Sequence, residues 1–152
     1  MYLSPRKLKL LLNWYPPYLG AGIKISNISD DWRALNVHMK LRWYNRNAVG
    51  SHFGGSLYSM VDPHLMLMLM QVLGRDYYVW DKSATIDYIQ ATKSPVTAKI
   101  ELEDGQIETI LSKTQNGEKY LPEFVIEIKD EKHNLIATVR KILYIRKKPA
   151  HR

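Results

Sequence analysis

Residues 54–73 leave almost no polar stripe for a helix to turn toward water: Leu57, Met60 and Val61 precede an unbroken run of Leu65, Met66, Leu67, Met68, Leu69 and Met70. A helix that is apolar nearly all round has to be surrounded by protein. In a chain of 152 residues, one long helix wrapped by an antiparallel sheet is the economical way to bury it. The run is far short of the ~20 apolar residues that span a bilayer, so a soluble, cytoplasmic protein is expected. Gly74 is placed to stop the helix. Pro63 is placed to bend or restart it just after Asp62, at a cost of about 3 kcal/mol in a regular helix interior.

The flanking segments supply strands. In residues 34–43, Leu35, Val37, Met39, Leu41 and Trp43 alternate with Asn36, His38, Lys40 and Arg42, which predicts one buried and one polar face. Further strands are predicted over 22–28, 77–89, 95–102, 123–129 and 135–145. Between the last two pairs, Asp104 is expected to cap a short helix carrying Ile107, Ile110 and Leu111, which Gly117 ends. Near the start, Arg6 and Lys7 ahead of a leucine run have the order of a secretory leader. The run is short, however, and Trp14, Tyr15, Pro16 and Pro17 stand where small residues would be cleaved. A helix is expected instead, with Ser4 as N-cap, Pro5 at the first position and Leu8, Leu11 and Leu12 on one face. Residues 14–20 then form an aromatic and proline-rich turn, because consecutive prolines cannot continue a helix.

No linker, repeat or low-complexity stretch divides the chain, so residues 1–152 are read as one domain: a helix and turn over 1–20, and a basic tail over 146–152. Without cysteine there are no disulfides, thiolate metal sites or cysteine nucleophiles. The five histidines show no metal-ligand spacing, and no metal is expected. A formal charge of +7 favours an anionic partner. Nucleic acid ranks last among such partners because no recognition motif accompanies the charge.

The segment NAVGSHFGGSLYSMVDP, residues 47–63, carries the chemistry. Asp62 either caps a helix restarting at Pro63 or is a desolvated carboxylate held for use as base or nucleophile. Gly54 and Gly55, at a helix start and without Cβ atoms, either pack tightly against a strand or let a carbonyl reach their N–H groups as an oxyanion hole. Asn47 can orient water or substrate through its amide, or serve as a loop residue, as can Asn45. His52 is a donor to substrate or an exposed loop histidine. Lys82, on the face of Trp80 and Ala84, either neutralises a phosphate or acid or snorkels to water. Arg146, Lys147 and Lys148 form either a solvated rim or a phosphate-binding run.

The order of elements, the segment above, NWYPPYLGAG at residues 13–22 and LYIRKK at residues 143–148 together resemble the hotdog fold across most of the chain. The resemblance is to short bacterial hotdog proteins labelled only as candidate thioesterases, and to acyl-CoA thioesterases of the phenylacetate-pathway type. The latter carry Asn-x-x-Gly-x-x-His-Gly-Gly before a helix with an aspartate on its second turn. Asn47, Gly50, Gly54, Gly55 and Asp62 fall at matching positions, whereas Phe53 occupies the histidine position and His52 lies one residue earlier. The resemblance implies an α+β fold with a curved antiparallel sheet around a long central helix, and a homodimer or dimer of dimers. It also implies hydrolysis of an acyl-CoA or acyl-carrier thioester, with coenzyme A present only as part of the substrate. A non-catalytic protein that binds an acyl thioester or another apolar ligand is the competing expectation.

Overall fold

The computed structural model describes residues 2–150, so Arg152, at the end of the expected basic tail, lies outside the described residues. Helix α1 (Pro5–Asn13) begins as expected: the Ser4 hydroxyl accepts the Lys7 N–H, and Pro5 takes a position whose N–H needs no intrahelical acceptor. Leu8 and Leu12 are buried, but Leu11 faces outward. The expected turn after it contains a second short helix, α2 (Pro16–Ala21). The two prolines that end α1 occupy the first turn of α2, where their missing N–H groups cost nothing.

Strands β1 (Ile23–Ile28), β2 (Ala34–Met39), β3 (Tyr77–Tyr88), β4 (Val96–Glu101), β5 (Lys119–Tyr120), β6 (Glu123–Asp130) and β7 (Leu135–Lys147) form one antiparallel sheet. Its order is β1-β2-β4-β6-β7-β3, with β5 on β7. β2 stops at Met39, so Trp43, expected at a buried strand position, lies in the following loop and is 81% exposed. β7 runs on through Arg146 and Lys147, which belong to the sheet and not to a tail. Helix α5 (Asp104–Thr114) is capped by Glu103, whose N–H bonds the Gln106 side chain, one residue before the expected Asp104. Ile107 and Ile110 are buried, while Leu111 is exposed.

The central apolar segment is two helices and not one long helix: α3 (Gly54–Ser59) and α4 (His64–Leu73). Met60, Val61, Met68 and Leu69 are fully buried, so the demand for a surround is met by the pair. Their core is continuous with Ile25, Val37, Ile100, Ile126 and Val139 from the sheet. Among the described residues no helix is long and apolar enough to cross a membrane.

The two sheet edges differ. Along β1, the Asn13 side chain accepts the Ile25 N–H at 2.7 Å and donates to the Ile25 carbonyl at 3.1 Å, and the Lys9 ammonium bonds the Ser26 carbonyl. Helix α1 thereby satisfies outer backbone groups in the middle of β1. At the other edge β3 pairs, among the described residues, only with β7 and presents exposed Ser83, Ala84 and Thr85 over a 12-residue strand.

Candidate active site

The break between α3 and α4 places the site. Pro63 has no N–H and its ring excludes the carbonyl four residues back, so the ladder fails from Ser59 onward and resumes with Leu67 N–H on the Pro63 carbonyl. Freed carbonyls in a buried turn need other donors. The Ser59 carbonyl accepts the Tyr18 hydroxyl at 3.0 Å, the Met60 carbonyl faces His64 Nε2 at 3.0 Å, and the Asp62 carbonyl accepts the Lys141 ammonium. Three side chains from three parts of the chain thus hold the turn that carries Asp62.

Asp62 sits in this turn with its carboxylate about half exposed. It does not cap α4, whose N-cap position is Pro63 without a side-chain bond. Instead Oδ1 accepts the Tyr58 hydroxyl at 2.8 Å and lies 3.5 Å from Lys141 Nζ. Burial, and then the hydrogen bond to Asp62, hold the Tyr58 hydroxyl above its ordinary pKa, so it stays a donor. Lys141 is fully buried, and its Nζ is 2.8 Å from Asp81 Oδ1. A buried ammonium needs such partners. Asp81 reaches it from β3 at a bulge between Asp81 and Ser83. The bulge leaves Lys82 unpaired in the ladder and exposed.

Behind the turn, His64 Nε2 faces both the Met60 carbonyl and the Tyr18 hydroxyl oxygen, at 2.9 Å. A carbonyl only accepts and Tyr18 donates to Ser59, so the imidazole proton belongs on Nε2. Nδ1 is then a bare buried acceptor with no hydrogen-bond partner among the described residues. Burial, aided by Lys141, pushes the His64 pKa down from 6.5 to about 4. The unfolded chain takes up a proton near 6.5 while the folded protein refuses it until about 4. Stability is therefore complete above the upper value and lost as pH falls through the window, by on the order of 3 kcal/mol. Urea titrations between these limits should show that loss in the wild type, and His64→Gln should remove most of the slope. An unchanged slope in the variant would assign the acid sensitivity to other groups.

Asn47 is a loop residue: Oδ1 accepts the Val49 and Ser51 N–H groups, and Nδ2 donates to Ser51 Oγ at 2.9 Å and to the His52 carbonyl at 3.3 Å. Asn45 is likewise spent on Arg42, Ala21 and Lys40. His52 is buried, not exposed, with Nε2 2.8 Å from the Ser94 carbonyl. Gly54 and Gly55 begin α3, and aromatic rings occupy the space their missing Cβ atoms leave. A Cβ on Gly54 would meet the Tyr88 hydroxyl at 2.9 Å, and one on Gly55 the Phe53 ring at 2.7 Å. Arg146 and Lys148 bond the Gly117 and Arg75 carbonyls. They lie at least five residues along β7 from Lys141, roughly 17 Å. Among the described residues no group of three or more metal-ligating side chains comes together.

Sequence reasoning missed Lys141, Asp81 as its partner, and Tyr58. The signal for Lys141 was present: inward positions of β7 run Ala137, Val139, Lys141, Leu143, Ile145, so the lysine stands alone on an apolar face.

An antiparallel sheet of this order over a buried helical pair is the hotdog type of α+β protein, and solved structures share it. A Pseudomonas aeruginosa protein of unknown function, described as a probable thioesterase, is 16% identical with a TM-score of 0.80, covering 97% of this chain and 98% of its own. A Haemophilus influenzae thioesterase is 16% identical with a TM-score of 0.69 over 99% and 96% of the two chains. A Chlorobaculum tepidum protein of unknown function is 16% identical with a TM-score of 0.74 over 96% and 98%. By sequence, the chain belongs to the family described as a domain of unknown function, DUF4442, whose model matches residues 6–145. Comparison with curated proteins finds no match.

Proposed function

We propose that the protein hydrolyses acyl thioesters, with Asp62 as base or nucleophile. The observation that supports this most directly is the placement of Asp62: a half-exposed carboxylate, lifted out of the helices by the 60–63 turn and oriented by Tyr58 and Lys141. In the base route, Asp62 takes a proton from water and the hydroxide adds to the thioester carbonyl. The tetrahedral intermediate then expels the thiolate, which takes up the proton. The oxyanion is assigned to the N–H groups of Gly54 and Gly55, at the start of α3 where no intrahelical acceptor exists. Phe53, 55% exposed, has room to swing off Gly55 as substrate enters. Exposed Lys82 and Lys147 are the cations for the phosphates of a coenzyme A carrier. The open β3 edge is where a second copy would pair and complete the site, giving a homodimer or dimer of dimers.

A second reading, a non-catalytic acyl-thioester binder, is favoured by the placement of His52 and Asn47. Asn47 is engaged with its own loop, His52 with the Ser94 carbonyl of the segment between β3 and β4, and Phe53 stands at the motif's histidine position. Incubation with short, long and aromatic acyl-CoAs separates the two. Free thiol released in proportion to enzyme is expected. Saturable binding of the same compounds without thiol release would establish the binder instead.

A further inference from the structure

Helix α1 is apolar on two sides. Leu8 and Leu12 face the core. The outward side, positions 7, 10, 11 and 14, repeats the i, i+3, i+4, i+7 spacing of a second stripe. Three of its members are Leu10, Leu11 and Trp14, which are 60%, 52% and 70% exposed, and the fourth is exposed Lys7. Tyr15, which precedes α2, and Leu19 within it are also half-exposed. Scattered exposed leucines need no explanation, but several at helical spacing do.

Positive charge adjoins the end of α2, three residues beyond Leu19. Tyr44 lies against Gly22 at the end of α2, where a Cβ would sit 3.5 Å from its hydroxyl, and Trp43 meets Tyr44 edge-on at 5.5 Å. The same two rings border an open pocket of about 400 Å³ shared with Lys24, His38, Lys40 and Arg42. Lys24 and His38 stand directly opposite each other on β1 and β2. Burial, then Lys24 and Lys40, hold His38 below its ordinary value. Among the described residues no carboxylate pairs with Lys24, Lys40 or Arg42. Residues 1–61 hold eight lysines and arginines against two acids, Asp30 and Asp31, a balance of +6 within a total of +7. Both acids lie in the turn beyond the far end of β1.

We propose that this face docks on an anionic lipid surface, with Leu10, Leu11, Trp14 and Leu19 entering the acyl boundary and Lys7, Lys24, Lys40 and Arg42 meeting headgroup phosphates. Interfacial helices combine leucine and tryptophan with flanking lysine and arginine, and aromatic rings settle at headgroup level. A partner offering only negative charge would leave the leucines uncovered, and an apolar one would leave the cations unpaired. A lipid boundary offers both within about 10 Å. The inference is independent of thioester hydrolysis, and its test requires no turnover.

Flotation of the full chain with phosphatidylcholine vesicles, and with vesicles containing an equal part of phosphatidylglycerol, tests it at about 0.05 M and ~0.5 M salt. Binding to the mixed vesicles at low salt is expected, weaker by at least ~10-fold on phosphatidylcholine alone or at high salt. Leu10→Ser with Trp14→Ser should weaken it by at least ~10-fold. Lys24→Gln, Lys40→Gln and Arg42→Gln together should weaken it by roughly 100-fold. Brominated lipid should quench the wild type more than Trp14→Phe, a reading that needs no disruptive change. Absence of wild-type flotation at low salt, flotation of the Leu10/Trp14 variant at wild-type strength, or equal quenching of wild type and Trp14→Phe would each overturn the proposal. Self-association lost on changing Leu10 and Trp14, or capture of an acidic carrier protein, in either case without vesicle binding, would also overturn it. The face would then belong to a second copy or to that protein.

Discussion

Asp62→Asn should lower thioester hydrolysis by about 10²–10⁴-fold while leaving the thermal midpoint within a few degrees of wild type. The amide keeps the shape of the carboxylate and can still accept the Tyr58 hydroxyl, so the 60–63 turn is retained. The bond from Lys141 to the turn goes to the Asp62 backbone carbonyl, which the substitution does not touch. What is lost is the ability to take a proton or attack a carbonyl. Initial rates at saturating acyl-CoA, beside unfolding curves for both proteins, measure the two effects separately. Wild-type turnover in the variant would remove Asp62 from the mechanism. A large loss of stability with activity retained would make it a structural residue of the turn.

The second large effect is on stability, and it is asymmetric. Asp81→Leu should destabilise the protein by about 3 kcal/mol, because it removes the nearest carboxylate from a fully buried ammonium and leaves it only the half-exposed Asp62 at 3.5 Å. Lys141→Met should cost less, ~1–2 kcal/mol: Asp62 and Asp81 are both partly exposed and water can serve them, leaving mainly the Asp62 carbonyl without its donor. The double variant should recover at least half of the Asp81→Leu loss, since the unpaired charge is then gone. Urea denaturation of the four proteins gives the cycle. Strict additivity of the two single losses would show that Lys141 and Asp81 do not depend on each other.

Much of the sheet was legible because period-two alternation is local: β2 and β4 declare their buried faces within six residues each. β5 escaped because two residues carry no period. The demand that residues 54–73 be enclosed was also legible, but not the place of the break. Pro63 suggested a restart just after Asp62, whereas α3 already ends at Ser59, because a proline disrupts the turn before it as well as its own position. Within the site, spacing identified Asp62 but could not say where an amide points, and Asn47 turned out to fold back on its own loop. In sequence Lys141 follows Arg140 and stands close to Arg146, Lys147 and Lys148, so it reads as one more terminal charge. Its parity on β7, between Val139 and Leu143, is what sets it inside. Its distance of 79 residues from Asp62 hid the contact itself.

The unequal sheet edges carry a consequence for assembly that polymer chemistry describes well. Growth into a chain requires units with two reactive ends, and here one end is already consumed. Asn13 and Lys9 occupy the Ile25 and Ser26 backbone groups on the outer side of β1, leaving β3 as the long edge open to strand addition among the described residues. A unit with one such site can terminate but cannot propagate. Under the proposed pairing through β3, association through the sheet would stop at two copies, with a covered edge at each end. Substituting both Asn13 and Lys9 would uncover the second edge, and a unit open at both ends has the functionality that chain growth requires.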